Sequence, residues 1–268
     1  MVADGVGGMG RAAAGARTSG PLLFARYAYP PNELGFCGPD AAGQLLEQAS
    51  SGVDDGDLRH LARGFTGAWP YLELIAAANG IADPLDARVV EAYWVGNVLL
   101  DRVPLSMMGG SIEDRFRARA GRSWSLLAAA VPGAQPHHSF HVFGVYPWLG
   151  LLRGGRVDEP LRVLDRCRIR WGRVIEVVDD RALVRSRPLQ WDGRALREGP
   201  VVVEQVVTAV DGLGLAGPLL PGDWCSLHWD WVCERLSPQR LAALRYRSGR
   251  QLAAINSLAV PSPAVVLG

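Results

Sequence analysis

The chain has 268 residues, with 28 basic and 27 acidic side chains and a formal net charge of +1 at pH 7. This length can bury one large hydrophobic core or two modest ones. Because the net charge is close to zero, no basic field marks a nucleic-acid-binding protein. No segment approaches the roughly 18–20 consecutive apolar residues of a membrane span. We therefore expect a cytoplasmic protein that binds neither nucleic acid nor membranes.

The first 20 residues differ in composition from the rest of the chain. They are rich in Gly and Ala, carry scattered Arg, and lack the apolar core of a secretory signal peptide. We expect residues 1–20 to form a disordered leader.

Residues 21–155 carry patterns typical of about four to six helices with short connections. Apolar residues recur at helical spacing, and Asp, Ser or Pro stands where each helix would begin. The predicted helices are Ala41 to about Ala49, Asp55 or Asp57 through Phe65, Pro70 to Asn79, Pro84 to about Val103, and Ser111 to Pro132. We therefore expect an all-helical N-terminal domain over residues 21–155.

Three of the chain's five histidines fall near the end of this helical region, at His137, His138 and His141. On a helix, His141 shares a face with both of the others; on a strand, His137 and His141 point the same way. Either geometry brings two imidazoles together, as a metal site or an acid–base pair requires. Cys37, in a glycine-flanked loop, is a candidate further ligand. The alternative is a linking segment whose imidazoles are hydrogen-bonded to the backbone.

The pattern changes to β-type runs in residues 160–268. Arg173 to Val178, Ala182 to Trp191 and Val201 to Val210 are rich in β-branched residues or alternate, and Asp- or Gly-containing turns separate them. Short strands at this spacing favour a small β-barrel. Ser237 and Pro238 are then suited to begin a helix that runs to about residue 256. The predicted fold class is α+β, with the helical domain followed by a β-barrel and a C-terminal helix.

Particular motifs follow one another in this C-terminal region. Cys167 opens it, Gly172 to Val174 follow after four intervening residues, and the turn Pro221 to Trp224 precedes His228. In this order and spacing, with the trailing helix, residues 160–268 resemble the HypC/HybG/HupF hydrogenase-maturation chaperones. Two features depart from that family: its Cys follows the initiator Met and has a free amine beside it, and Trp171 stands where the family usually has Pro.

The resemblance implies a specific cargo and site. Members of that family partner the protein HypD and hold an Fe(CN)2(CO) unit on its way to the large subunit of a [NiFe]-hydrogenase. Cys167 would be the iron-binding thiolate, a soft ligand that suits such iron, and His228 would lie near it. Without the resemblance, Cys167 would be expected to be a small buried hydrophobe. Three tryptophans are candidates for partner binding: Trp171, Trp224 and Trp229.

Two functional hypotheses of different classes follow. The first is an accessory protein of [NiFe]-hydrogenase maturation, which docks a HypD-like protein or the hydrogenase large-subunit precursor and holds the iron fragment. The second is a metal-dependent enzyme whose site lies in the helical domain, around residues 137–141 and Cys37. A purely structural adaptor without metal is a third reading.

Overall fold

A computed structural model describes residues 18–120, Trp124, Ala128 and 131–257. Most of the predicted leader, and part of the helix predicted to reach Pro132, lie outside these residues. The described chain contains helices, a mixed β-sheet in its C-terminal part and a C-terminal helix, so the expected α+β composition is confirmed. Of the helices described, none is both long enough and apolar enough to cross a membrane.

Helices occupy the described chain from Gly20 to Cys167. They are α1 (Gly20–Glu33), α2 (Ala42–Ser51), α3 (Asp57–Arg63), α4 (Trp69–Ala78), α5 (Ala87–Trp94), α6 (Leu105–Ala120), α7 (His138–Phe140), α8 (Trp148–Arg153) and α9 (Asp158–Cys167). Short 3-10 helices cover Val98–Arg102 and Val131–Gly133, and a π-helical turn covers His141–Val145.

Two of the predicted helices have different bounds in the structure. The helix expected from Pro84 begins at Ala87, because the Asp86 side chain accepts the N–H of Arg88 as an N-cap. It ends at Trp94, and Gly96 then adopts φ +99, a left-handed conformation typical of helix ends. The helix expected from Ser111 already begins at Leu105, so that predicted start is wrong.

Helix α1 is almost entirely buried. At the N-cap, the side chain of Ser19 accepts a hydrogen bond from the N–H of Leu22. Pro21 occupies the first turn, where its missing N–H costs nothing. The helix packs against α2, α3 and α5 and also against the sheet. Residues of α1 can therefore hold side chains of both halves of the chain.

Nine strands follow α9. They are β1 (Arg170–Val178), β2 (Arg181–Ser186), β3 (Leu189–Trp191), β4 (Leu196–Glu198), β5 (Val202–Val207), β6 (Ala209–Val210), β7 (Leu213–Gly214), β8 (Trp224–His228) and β9 (Trp231–Arg235) among the described residues. The main sheet has the order β1-β2-β5-β9-β8, and β8 pairs back with β1 so that the sheet closes on itself. Its pairs are antiparallel except β5 with β9. Helix α10 (Pro238–Ser257) then covers nearly the range expected for it.

The two halves share a hydrophobic core. One cluster of buried side chains includes Tyr27 and Trp94 from the helices together with Ile169 and Trp231 from the sheet region. Cys167 is the last residue of α9, three residues before β1. Cys167 consequently lies at the junction where the helices meet the sheet.

Candidate metal centre

Three potential metal ligands converge at this junction. His138 comes from α7, Cys167 from the end of α9 and His228 from the end of β8. One ligand atom of each, a ring nitrogen or the sulfur, lies within 4.8 Å of the other two, and all three residues are buried. This His–Cys–His group could hold a metal ion.

The backbone of α1 fixes the orientation of His228. The carbonyl oxygen of Tyr27 lies 2.6 Å from Nδ1 of His228, so Nδ1 carries the proton and donates it. The lone pair is then on Nε2, which is buried and has no hydrogen-bond partner among the described residues. Histidines that bind metals commonly donate their other ring N–H to a backbone carbonyl. His228 therefore already has the tautomer of a metal ligand.

His138 is held in a similar way. Its Nε2 lies 2.8 Å from the carbonyl oxygen of Cys167, to which it donates, and its Nδ1 lies 3.3 Å from the hydroxyl of Tyr93, from which it accepts. The ring packs 4.7 Å from Trp94 and 5.1 Å from His228, measured between ring centroids. The aromatic side chains of α5 thus orient His138 toward the other two ligands.

Burial decides the protonation states of the group. It lowers the pKa of His138 to about 4 and lowers the pKa of His228 well below its ordinary value. Burial, with a smaller contribution from the nearby Cys37, raises the pKa of the Cys167 thiol far above its ordinary value. At neutral pH both imidazoles are therefore neutral. The lone pair of His228 on Nε2 is free for a metal, whereas the lone pair of His138 on Nδ1 would exchange the Tyr93 hydroxyl for the metal. The thiol is protonated, and metal binding would release its proton.

A cavity of about 320 Å³ borders the group, and we call it the inner cavity. Cys167 and His138 both line it, together with aromatic and other apolar side chains that include Tyr93, Trp94 and Trp229. A metal held by two nitrogens and one sulfur would have a further coordination position facing this space. Zinc, iron and copper all accept such a mixed set of imidazole and thiolate ligands.

The residues predicted from sequence are distributed unevenly around this group. Cys167 and His228 come from one predicted site and His138 from the other, so the structure merges parts of two predicted sites into one. His137 stands apart: it is the N-cap of α7, its Nδ1 accepts the N–H of Ser139, and burial lowers its pKa to about 3. His141 and Cys37 line the inner cavity but do not belong to the three-ligand group.

The three tryptophans considered for partner binding have different environments. Trp171 and Trp229 are buried, with 9 and 3% of their surface exposed, and Trp224 is half-buried. Trp229 lines the inner cavity and stacks on Phe36 with 4.5 Å between ring centroids. The guanidinium of Arg245 lies 4.6 Å from the ring of Trp224.

Sequence reasoning missed the residues that orient the ligands. The Tyr27 carbonyl that holds His228 belongs to the backbone, and nothing in the sequence marks it. Tyr93 and Trp94 stood in the sequence as part of a helical apolar face. Only their position beside two histidines from other elements shows that they also shape the site.

The comparisons with known proteins give a family and no function. The model of a family described as "Family of unknown function (DUF6390)" matches residues 16–262. No curated protein and no solved structure matches the chain.

Proposed function

We propose that this chain, which belongs to the DUF6390 family, is an accessory protein of [NiFe]-hydrogenase maturation that holds an Fe(CN)2(CO) fragment at Cys167. The fragment is cargo, which the protein would receive from or pass to a HypD-like protein or the hydrogenase large-subunit precursor. The observation that carries the proposal is the buried convergence of His138, Cys167 and His228 within 4.8 Å of one another.

The chemistry of the group supports this cargo. A thiolate is a soft ligand that suits low-spin iron, and the two neutral imidazoles add nitrogen donors without a charge to neutralise. In the chaperones that the C-terminal region resembles, the cysteine has a free amine beside it, and Cys167 has none. His138, from the helical half, would supply a nitrogen donor in its place.

The surroundings of the group support the same proposal. The aromatic walls of the inner cavity keep water away from a bound metal and leave room for ligands that the protein does not provide. CO and cyanide are small ligands, and the cavity has room for them beside the metal.

Infrared spectroscopy of the protein isolated from its native host tests the proposal. We expect CO and CN stretching bands, because these have no other source in a protein, and we expect them to vanish in Cys167→Ala. Cys225→Ala is the matched control, since Cys225 is also buried but lies in the separate core of the sheet. Bands that persist in Cys167→Ala, or protein that carries no such bands when isolated together with its hydrogenase, would contradict the proposal.

A metal-dependent enzyme is the second candidate, and one observation favours it. The inner cavity is large enough for a small organic substrate beside the metal and opens onto the same ligands. In that case the isolated protein would contain a metal that Cys167→Ala removes, but it would show no CO or CN bands and would not co-purify with a maturation partner.

A further inference from the structure

A second cavity adjoins the inner one and shares part of its lining. It measures about 510 Å³, and we call it the outer cavity. The two cavities share five lining residues, which form the wall between them: Phe36, Cys37, Gly67, His141 and Tyr146. The wall therefore contains one thiol and one imidazole, although neither belongs to the three-ligand group.

The thiol of the wall is held in place by its loop. Asn32, at the end of α1, donates its side-chain amide to the carbonyl oxygens of Cys37 at 2.8 Å and Pro39 at 2.6 Å. Cys37 is not in a disulfide. Phe36, 44% exposed, stacks on Trp229 from the sheet region and closes the loop over the inner cavity.

The imidazole of the wall has unused binding capacity. His141 is only 4% exposed, and its Nδ1 has no hydrogen-bond partner among the described residues. Its ring packs between Tyr146 and Tyr71, at 4.5 and 5.7 Å between ring centroids. Position 67 is a glycine, and a Cβ there would lie 2.9 Å from Nε2 of His141. A side chain at position 67 would therefore displace this imidazole from the wall that it shares with Cys37.

A positive charge stands beside the outer cavity. The guanidinium of Arg115 lies 4.4 Å from the ring centroid of Tyr71 and 4.7 Å from that of Phe116, and its Nη1 is buried without a partner among the described residues. Arg115 lines the outer cavity together with Cys37. Burial raises the pKa of the Cys37 thiol, so a metal bound there would displace its proton.

We propose that Cys37 and His141 form an outer metal-binding station, through which a soft or borderline divalent metal passes between the outer cavity and the His138–Cys167–His228 group. The inference rests on the metal binding proposed for that inner group. Two donors bind more weakly than three, so the metal moves inward. Binding at the station releases the Cys37 proton to water. On transfer Cys37 takes up a proton and Cys167 loses one, so one proton is released overall.

Loading of the metal-free, full-length protein with Co²⁺ tests this, because thiolate-to-metal absorption reports each station in a stopped-flow experiment. We expect two phases in the wild type. In Cys37→Ala and in His141→Ala the first phase should be lost and the second slowed by about 10-fold or more, with the final affinity of the inner group unchanged. Cys225→Ala, which removes a buried thiol from the separate core of the sheet, is the control and should load like the wild type.

The outcomes separate the station from the proposed function. Unchanged phases and rates in both Cys37→Ala and His141→Ala, with unfolding temperatures close to that of the wild type, would overturn the station. A Co²⁺ signal that disappears in Cys37→Ala but is indifferent to Cys167→Ala would support the station and contradict the inner group. Loss of only the second phase in Cys167→Ala would support both the outer station and the inner three-ligand group.

Discussion

At Cys167 the burial that would shield a bound metal from water also opposes the thiolate that would bind it. The pKa of this thiol lies far above its ordinary value, whereas the pKa of His138 is about 4. The imidazoles are therefore neutral across the neutral range, and only the thiol must lose a proton. Metal binding has to provide the free energy for that single deprotonation.

This asymmetry predicts the pH dependence of metal affinity. Between pH 6 and 8 the apparent affinity for Zn²⁺ should rise about tenfold per pH unit, because one proton leaves for each metal bound. Competition titrations against a chelator of known affinity measure it. Cys167→Ala should bind weakly with almost no pH dependence. A release of about three protons for each metal bound would show that the imidazoles were also protonated. It would contradict the neutral state assigned to them.

The sequence carried only part of the site at this scale. Cys167 and His228 could be singled out from the resemblance of the C-terminal motifs. His138 could not be distinguished from His137 and His141, because a regular helix or strand places these three residues differently from the structure. The three histidines lie on a one-turn helix followed by a π-helical turn. His137 caps this helix, and His138 lies close to Cys167 and His228.

At the scale of elements, the loop between α1 and α2 positions Cys37 and covers the inner cavity. Two of its glycines, Gly35 and Gly38, have φ of +71 and +83, a region that side chains with a Cβ disfavour. A Cβ at Gly38 would also meet the ring of Phe65 at 2.4 Å, whereas a Cβ at Gly35 meets nothing within 4 Å. The same backbone strain thus occurs with and without a steric clash.

This pair of glycines gives a matched prediction for stability. Gly35→Ala should lower the free energy of unfolding by about 1–2 kcal/mol, from the left-handed backbone alone. Gly38→Ala should cost about 1–3 kcal/mol more, because Phe65 must move. Urea unfolding of the two variants measures the difference. Equal losses would mean that the loop does not pack on Phe65 as described.

The bounds of two helices show which local sequence signals determine where a helix begins and ends. The C-terminal helix was predicted well because Ser237 and Pro238 mark its start by side-chain chemistry. The long helix expected from Pro84 was predicted less well. Its apolar pattern continues past Trp94, but the helix ends at Trp94 and Gly96 follows in a left-handed conformation. A Cβ at Gly96 would lie 2.5 Å from the side chain of Arg247 in α10, so a contact distant in sequence also requires that glycine.

At the scale of the whole molecule, helices and sheet share a core, and buried histidines lie where they meet. Burial lowers the pKa of His137, His138, His141 and His228. In the unfolded chain these groups titrate near their ordinary value of about 6.5. Below that pH the unfolded state binds more protons than the folded state, so the stability of the fold falls as the pH falls.

The metal-free protein should therefore be acid-labile. Stability is at its full value above about pH 6.5 and is lost as the pH falls toward 4, by about 2 kcal/mol at pH 5 for each such histidine. Unfolding free energies measured at pH 7 and pH 5 test this. His137→Gln should reduce the dependence by one histidine, and the exposed His60→Gln should keep the wild-type profile. A stability that is flat between pH 7 and 5 would contradict the burial of these imidazoles.

The shared core also explains why the site was not predictable as a whole. The sequence divided into a helical part and a β-type part, each with its own candidate ligands. Because Ile169 and Trp231 pack with Tyr27 and Trp94, the ends of α9 and β8 are brought against α7, and ligands from both parts meet. Such contacts depend on tertiary packing and leave no local pattern.

X-ray absorption spectroscopy at the edge of the metal bound to the purified protein tests the central claim most directly. With Zn²⁺ loaded in a 1:1 ratio, we expect one sulfur neighbour at about 2.3 Å and nitrogen neighbours at about 2.0–2.1 Å. The sulfur shell should disappear in Cys167→Ala and persist in Cys225→Ala. A sulfur shell that survives Cys167→Ala, or a protein that retains no metal, would show that His138, Cys167 and His228 do not form a metal centre.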